Sequence, residues 1–177
     1  MVDEARFESV YATYAPVVSR YCAYSTGSRH TAEDLTAETF ARFLVRGEPV
    51  ADDIVERWLL RVARNLCASH HRSTTRSRRF LARLAESEPT AAVSATADAW
   101  PYPDAWRYVR PLKEAQRLAI YLRVVEDRPF AEVARTLGVS ESAAKMTYYR
   151  AVERVRRDME HDAPGLAQQR LRGAEND

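Results

Sequence analysis

Glycine and cysteine are scarce, five and two in 177 residues. So few glycines leave no Gly-rich loop to cradle a phosphate. Cys22 and Cys67 stand far apart, without a CxxC pair, so neither a disulfide framework nor a cysteine metal site can be built from them. A reducing cytoplasm fits that usage. Long apolar runs are missing as well; none approaches the ~20 residues that a spanning helix requires. The first ten residues, MVDEARFESV, are acidic and lack the apolar heart of a signal peptide. Net charge is small, +2, from 27 basic and 25 acidic residues. What the chain does have is apolar content, 46%, enough for one compact domain or two small ones.

The near-neutral total hides segregated charge. Residues 1–56 carry ten acids and five arginines, and residues 57–85 carry eight arginines and no acid. Residues 86–104 hold four acids and no base, and residues 105–160 hold twelve bases and eight acids. Two basic segments separated by an acidic one suit two contacts with a polyanion, joined by a segment that avoids it.

Periodicity predicts an all-α fold of two small helical domains. Phe7, Val10, Tyr11, Tyr14, Val17, Val18, Tyr21 and Cys22 follow helical spacing, with Gly27 as a stop. A second helix is expected over about Thr31–Arg46, burying Ala32, Leu35, Phe40 and Phe43. Residues 47–53 read as a loop. A third helix starts near Ile54 and buries Val55, Trp58, Leu59, Val62 and Leu66, giving an N-terminal three- to four-helix bundle over 1–84. From Ser73 the pattern fades into Ser, Thr, Ala and Arg. Residues 85–104 read as a flexible acidic linker, in which Trp100 and Tyr102 stand out. Helical spacing returns over about 105–125, from Trp106 to Leu122. Pro129 then fits a first helical turn, Gly138 a left-handed stop and Ser140 an N-cap. A last helix is expected from Glu141 to about Met159, with a disordered tail over 162–177. The C-terminal domain, 105–161, is thus a helix-turn-helix.

In that motif the second helix lies in the major groove of DNA. Spacing turns Ala144, Tyr148, Ala151 and Val155 inward and Ser142, Lys145, Met146, Tyr149 and Arg150 outward. Lys145 and Arg150 supply cations for guanine edges or phosphates. A second candidate nucleic-acid surface runs along the third helix. Arg57, Arg61 and Arg64 share one face and are followed by His70, His71 and Arg72, with Asn65 among them; such a stripe can track a phosphate backbone. The third candidate is acidic. Asp34 and Glu38 repel each other at i, i+4 beside Glu33, so a partner, or Arg42 on the same helix, has to offset them. Catalysis, as a cytosolic enzyme using His70, His71 and nearby acids, finds little support. Adjacent His70 and His71 would point ~100° apart on a helix, with no third metal ligand in place. No cofactor and no small-molecule substrate is called for.

Three stretches carry a resemblance over about residues 5–160: Ala32-Glu-Asp-Leu-Thr-Ala-Glu-Thr-Phe40, Trp58-Leu-Leu-Arg-Val-Ala-Arg-Asn-Leu66, and Phe130-Ala-Glu-Val-Ala-Arg-Thr-Leu-Gly-Val-Ser140 with the helix after it. In this order they resemble the sigma factors of bacterial RNA polymerase, in the compact form called extracytoplasmic function sigma factors. The resemblance implies that Glu33, Asp34, Leu35 and Glu38 dock on the β′ clamp of core polymerase, and that β is contacted too. It implies that the second stretch opens the −10 promoter region, Asn65 lying where the family lines a pocket for a flipped base. It assigns −35 reading to Ser142, Lys145, Met146, Tyr149 and Arg150, and it adds an anti-sigma protein to the partners of such a chain. The sequence departs from the family pattern at Ala37, Ala143-Ala144, Met146 and Thr147. The expectation is a non-enzymatic, cytoplasmic protein, at the nucleoid when in holoenzyme. The competing reading is a stand-alone helix-turn-helix regulator, which would bind promoter DNA without polymerase.

Overall fold

The computed structural model describes residues 2–46, 50–84 and 107–174. All its elements are helical; no strand occurs among the described residues. Helix α1 spans Glu4–Thr26. Its first turn is capped by Asp3, whose carboxylate accepts from the Arg6 amide at 3.0 Å. It stops at Gly27, where φ is 65° and the amide donates to the Ala23 carbonyl. Helix α2 spans Arg29–Arg46. Leu35, expected in the core, is only partly buried; Thr36 and Thr39 are buried in addition to Ala32, Phe40 and Phe43. The two threonines enter the core because each hydroxyl donates back along the helix, to Ala32 and Leu35 carbonyls at 2.7 Å.

A 3-10 turn at Asp52–Ile54 leads into α3, Val55–Leu84. This helix continues well past Ser73, where the apolar pattern gives out. Arginine is a good helix former, and Thr74 donates to the His70 carbonyl at 2.9 Å without breaking the helix. The buried face of α3 also differs from the expected stripe. Leu60, Ala63 and Cys67 are buried, whereas Trp58 and Val62 are only partly so. The cause is that α3 is central. It packs on α1 and α2 on one side and on the C-terminal module on the other, so a single stripe does not describe it. Cys22 and Cys67 are both fully buried free thiols.

The helix expected over 105–125 is divided. A short turn at 107–109 is followed by Pro111, which has no N–H to continue the ladder, and a new helix α4 begins at Glu114 and ends at Ile120. Gln116 folds back to accept from the Lys113 amide at 3.1 Å. The chain leaves α4 through a π-helical turn, Tyr121–Val125, closed by the Glu126 amide on the Tyr121 carbonyl at 3.1 Å. Asp127, at φ 48°, then reverses the backbone. Helix α5 spans Phe130–Leu137, with Pro129 just outside it rather than within its first turn. Gly138 at φ 74° ends it as expected, and Ser140 caps the next helix by accepting from the Ala143 amide at 3.2 Å. Helix α6 spans Glu141–Ala174, beyond the Met159 expected from spacing and through much of the stretch expected to be disordered. Residues 166–172 are Leu, Ala, Gln and Arg, all good helix formers. The linker 85–104, with Trp100 and Tyr102, lies outside the described residues, as do Trp106 and residues 47–49.

The two modules share one core. Tyr121, from the C-terminal module, meets Tyr21 and Tyr24 of α1 with ring centroids 5.3 Å away in each case. Next to these rings lies a buried polar knot. Glu114 accepts from Tyr21 Oη and Ser25 Oγ at 2.6 Å each, and it pairs with Arg117 on its own helix. The Glu114 side chain is 9% exposed and that of Arg117 4%. Arg117 also donates to the Arg110 carbonyl. Burial, with Glu114 beside it, holds the Tyr21 phenol well above its ordinary pKa. At the edge of the contact Arg20 grips Glu126 at 3.0 Å, and Arg128 reaches Glu56 at 2.8 Å.

Candidate polymerase and nucleic-acid interfaces

The first turns of α6 present the C-terminal candidates to solvent. Ala144 and Ala151 are fully buried, with Tyr148 and Val155 packed against the same core, as spacing required. Ser142, Lys145, Met146, Tyr149 and Arg150 are all exposed on the other side. Lys145 is oriented by Glu141, 2.7 Å away one turn earlier, and that hydrogen bond raises its pKa. The result is an uncovered helix surface, basic and aromatic, at the N-terminal end of the second helix of a helix-turn-helix. That is the geometry in which a side chain reaches a base edge.

The arginine stripe on α3 is not uniformly open. Arg61 bends toward α5: its Nε donates to the Thr136 carbonyl at 2.8 Å and Nη2 to the Arg135 carbonyl at 2.6 Å. A guanidinium thus caps the carbonyl end of α5, where the helix dipole favours positive charge. Gly138 is fitted to it, since a Cβ there would lie 2.9 Å from Arg61 Nη2. Arg57 lines the cleft between α3 and α5, with Glu56, Arg128, Glu132 and Arg135 around it. Arg64 is half-buried and donates to Asn65 Oδ1 at 3.3 Å, while Asn65 itself is exposed.

His71 also points inward. Its Nε2 lies 3.0 Å from the Ser25 carbonyl and 3.8 Å from Glu114 Oε2. Burial, and then the Arg117 guanidinium, lowers its pKa to about 4. It is therefore neutral near pH 7 and belongs to the polar knot, not to a cationic stripe. His70 is half-buried and faces Thr74. The open part of the stripe lies further along, where Arg72, Arg76 and Arg79 border a groove with Thr75 and Phe80, its near end formed by His71. Phe80 is 61% exposed beside these cations, an aromatic that spacing alone did not single out.

On α2 the acids face outward. Glu33 pairs with Arg29 at 3.0 Å and Glu38 with Arg42 at 2.9 Å, both within the helix, and His30 Nδ1 lies 3.7 Å from Asp34. The two arginine pairs offset part of the mutual repulsion of the carboxylates, and all three acids stay exposed. Leu35 sits partly buried between them. Sequence reasoning missed Glu114 and Arg117 altogether. Their one signal was an acid and a base at i, i+3 in an apolar segment, which ordinarily marks a solvated face.

An all-helical chain with an acidic helix, an arginine-bearing central helix and an open helix-turn-helix is matched by family models. The description "Sigma-70 region 2" matches residues 10–77, and "Sigma-70, region 4" matches residues 105–155. The chain belongs to the sigma-70 family of bacterial RNA polymerase sigma factors. Within it, the chain falls in the extracytoplasmic function group. It is similar to the ECF RNA polymerase sigma factor BldN of Streptomyces coelicolor, 34% identical over 170 residues, covering 89% of this chain and 61% of that protein. It is also similar to the ECF RNA polymerase sigma factor SigM of Bacillus subtilis, 26% identical over 154 residues, covering 84% and 92% of the two chains. In fold it resembles the sigma factor RpoE of Bartonella quintana, solved in complex with the anti-sigma factor NepR. The TM-score there is 0.63 at 19% identity, over 89% of this chain and 98% of that one.

Proposed function

We propose that this chain is a promoter-specificity subunit that works with core RNA polymerase. The observation that carries the reading is the open face of α6 in the second of two modules whose order and family matches are those of sigma regions 2 and 4. Glu33, Asp34, Leu35 and Glu38 are the contact with the β′ clamp, and β completes the core interface. Ser142, Lys145, Met146, Tyr149 and Arg150 read the −35 duplex. Arg57, Arg61, Arg64, Asn65, His70, His71 and Arg72 belong to the segment that holds the opened −10 strand, with Asn65 at the captured base. Extruding a base costs a few kcal/mol, and stacking or pocket contacts return about 1–3 kcal/mol per base, so strand capture needs no nucleotide hydrolysis.

The packing of the modules bears on this role. Arg61 commits its Nε and Nη2 to the α5 carbonyls, and His71 turns its Nε2 toward Ser25 and Glu114 while its ring edge borders the arginine groove. Separation of the modules by a large core enzyme would release the remaining donors of both side chains to the strand. The −35 face needs no such step. The chain performs no catalysis of its own in this reading, takes no cofactor and no small-molecule substrate, and acts in the cytoplasm, at the nucleoid within holoenzyme. An anti-sigma protein is its further partner class.

The test is transcription in vitro with bacterial core polymerase on a randomised promoter library. RNA from defined starts only when the chain is added is the expected result. No defined start, together with a gel shift by the chain alone, would overturn the proposal in favour of a stand-alone regulator.

A further inference from the structure

Phe130 opens α5, yet its ring is engaged by the helix that follows. Its centroid lies 5.4 Å from that of Tyr148, at 72°, and 6.1 Å from that of Tyr149, at 39°. Tyr148 and Tyr149 in turn lie 5.3 Å apart, edge to face. Two cations from different elements approach the same Phe130 ring: Lys145 Nζ at 5.8 Å and Arg123 Cζ at 5.6 Å from its centroid. An aromatic face attracts cations, and ring edges favour inclined contacts of this kind.

Lys145 is thereby held from two sides, by Glu141 along the helix and by the Phe130 ring across the turn. A long flexible lysine fixed beforehand loses less freedom when it docks on a base or phosphate. Tyr149, 57% exposed, leans on the same ring. Two of the exposed side chains on the α6 face thus share one support, and that support comes from the first helix of the motif.

We propose that Phe130 is a positioning residue for −35 specificity: it holds Lys145 and Tyr149 in the arrangement in which they meet DNA, without reading a base itself. The inference rests on the reading of α6 as the −35 contact.

The experiment uses the full chain assembled with core polymerase. The best −35 duplex is first selected by wild-type holoenzyme from a library randomised only there. The affinity ratio between that duplex and its single-base variants is then measured. Phe130→Leu keeps apolar bulk and removes the ring; Phe130→Tyr keeps the ring. The expected result is that Phe130→Leu narrows the ratio about two- to fivefold at the base pairs that Lys145→Ala also affects. Binding to a scrambled −35 and the melting temperature should stay as in wild type, and Phe130→Tyr should restore the ratio. A Phe130→Leu ratio equal to wild type, or a uniform loss on every duplex, would overturn the proposal. If Phe130→Leu melts early, Phe130→Met takes its place under the same criteria. The two levels of failure separate cleanly. Wild-type holoenzyme without any −35 preference sinks the underlying reading and this proposal with it. A ratio flattened by Lys145→Ala and untouched at Phe130 sinks this proposal alone.

Discussion

Glu114→Ala tests the buried knot between the modules. In the folded chain the carboxylate neutralises Arg117, which is 4% exposed, and accepts from Tyr21 and Ser25. Removing it leaves a guanidinium buried with only the Arg110 carbonyl beside it among these contacts. Stripping one partner from a buried pair costs about 3–5 kcal/mol, because the remaining charge stays desolvated. The two hydroxyls lose an acceptor as well, although water entering the vacated space offsets part of that loss. Against a total stability of about 5–15 kcal/mol this is a large fraction. Replacing both partners, Glu114→Ala with Arg117→Met, removes the stranded charge and should recover much of the loss. Urea denaturation followed by far-ultraviolet circular dichroism gives the four corners of the cycle, and the coupling energy should reach about 2 kcal/mol or more. Two single substitutions that each cost under about 1 kcal/mol and simply add would show that Arg117 is solvated, and the reasoning would fail.

Gly138→Ala forces a side chain into left-handed backbone at φ 74° and against Arg61, and should cost about 1–2 kcal/mol, a fall of about 2–8 °C in Tm by calorimetry; an unchanged Tm would contradict the fit. His71 gives a pH dependence: folded it titrates at about 4, unfolded near its ordinary value of about 6.5, so the unfolded chain binds more protons between those values and stability falls as pH drops through that window. With a side chain still 27% exposed, the loss attributable to His71 should be about 1–2 kcal/mol. Denaturation at about pH 7 and about pH 4 should show it in wild type and not in His71→Gln. Asp34→Ala with Glu38→Ala breaks only exposed contacts within α2, so Tm should hold while affinity for core polymerase drops by about 1 kcal/mol in fluorescence titration; equal affinity would remove α2 from the interface.

The parts of the fold that were legible in the sequence are those fixed by short-range chemistry. Gly27, Gly138 and Ser140 act within one helical turn, and they mark the ends of α1 and α5 and the start of α6 correctly. The outward set on α6 follows from 3.6-residue spacing, because that helix packs on one side only. What was not legible depends on residues far away in the chain. Arg61 meets α5 carbonyls across 75 positions, and Glu114 meets Tyr21 across 93. Spacing cannot tell that α3 is covered on two sides, so it buried Trp58 and Val62 and overlooked Leu60, Ala63 and Cys67. The polar knot was illegible for a related reason. An acid, an arginine and a histidine read as surface residues until their partners are known.

The two thiols in the core give the chain a built-in clock. Cys22 and Cys67 are the whole cysteine complement, and both are 0% exposed where α1 meets α3. Contact with Cys22, and then burial, raises the Cys67 pKa, so its reactive thiolate is scarce even before access is considered. Alkylation consequently proceeds through excursions that prise α1 from α3, and its rate counts how often they occur. No engineered label is required, and a ligand that steadies the N-terminal bundle would announce itself by slowing the count.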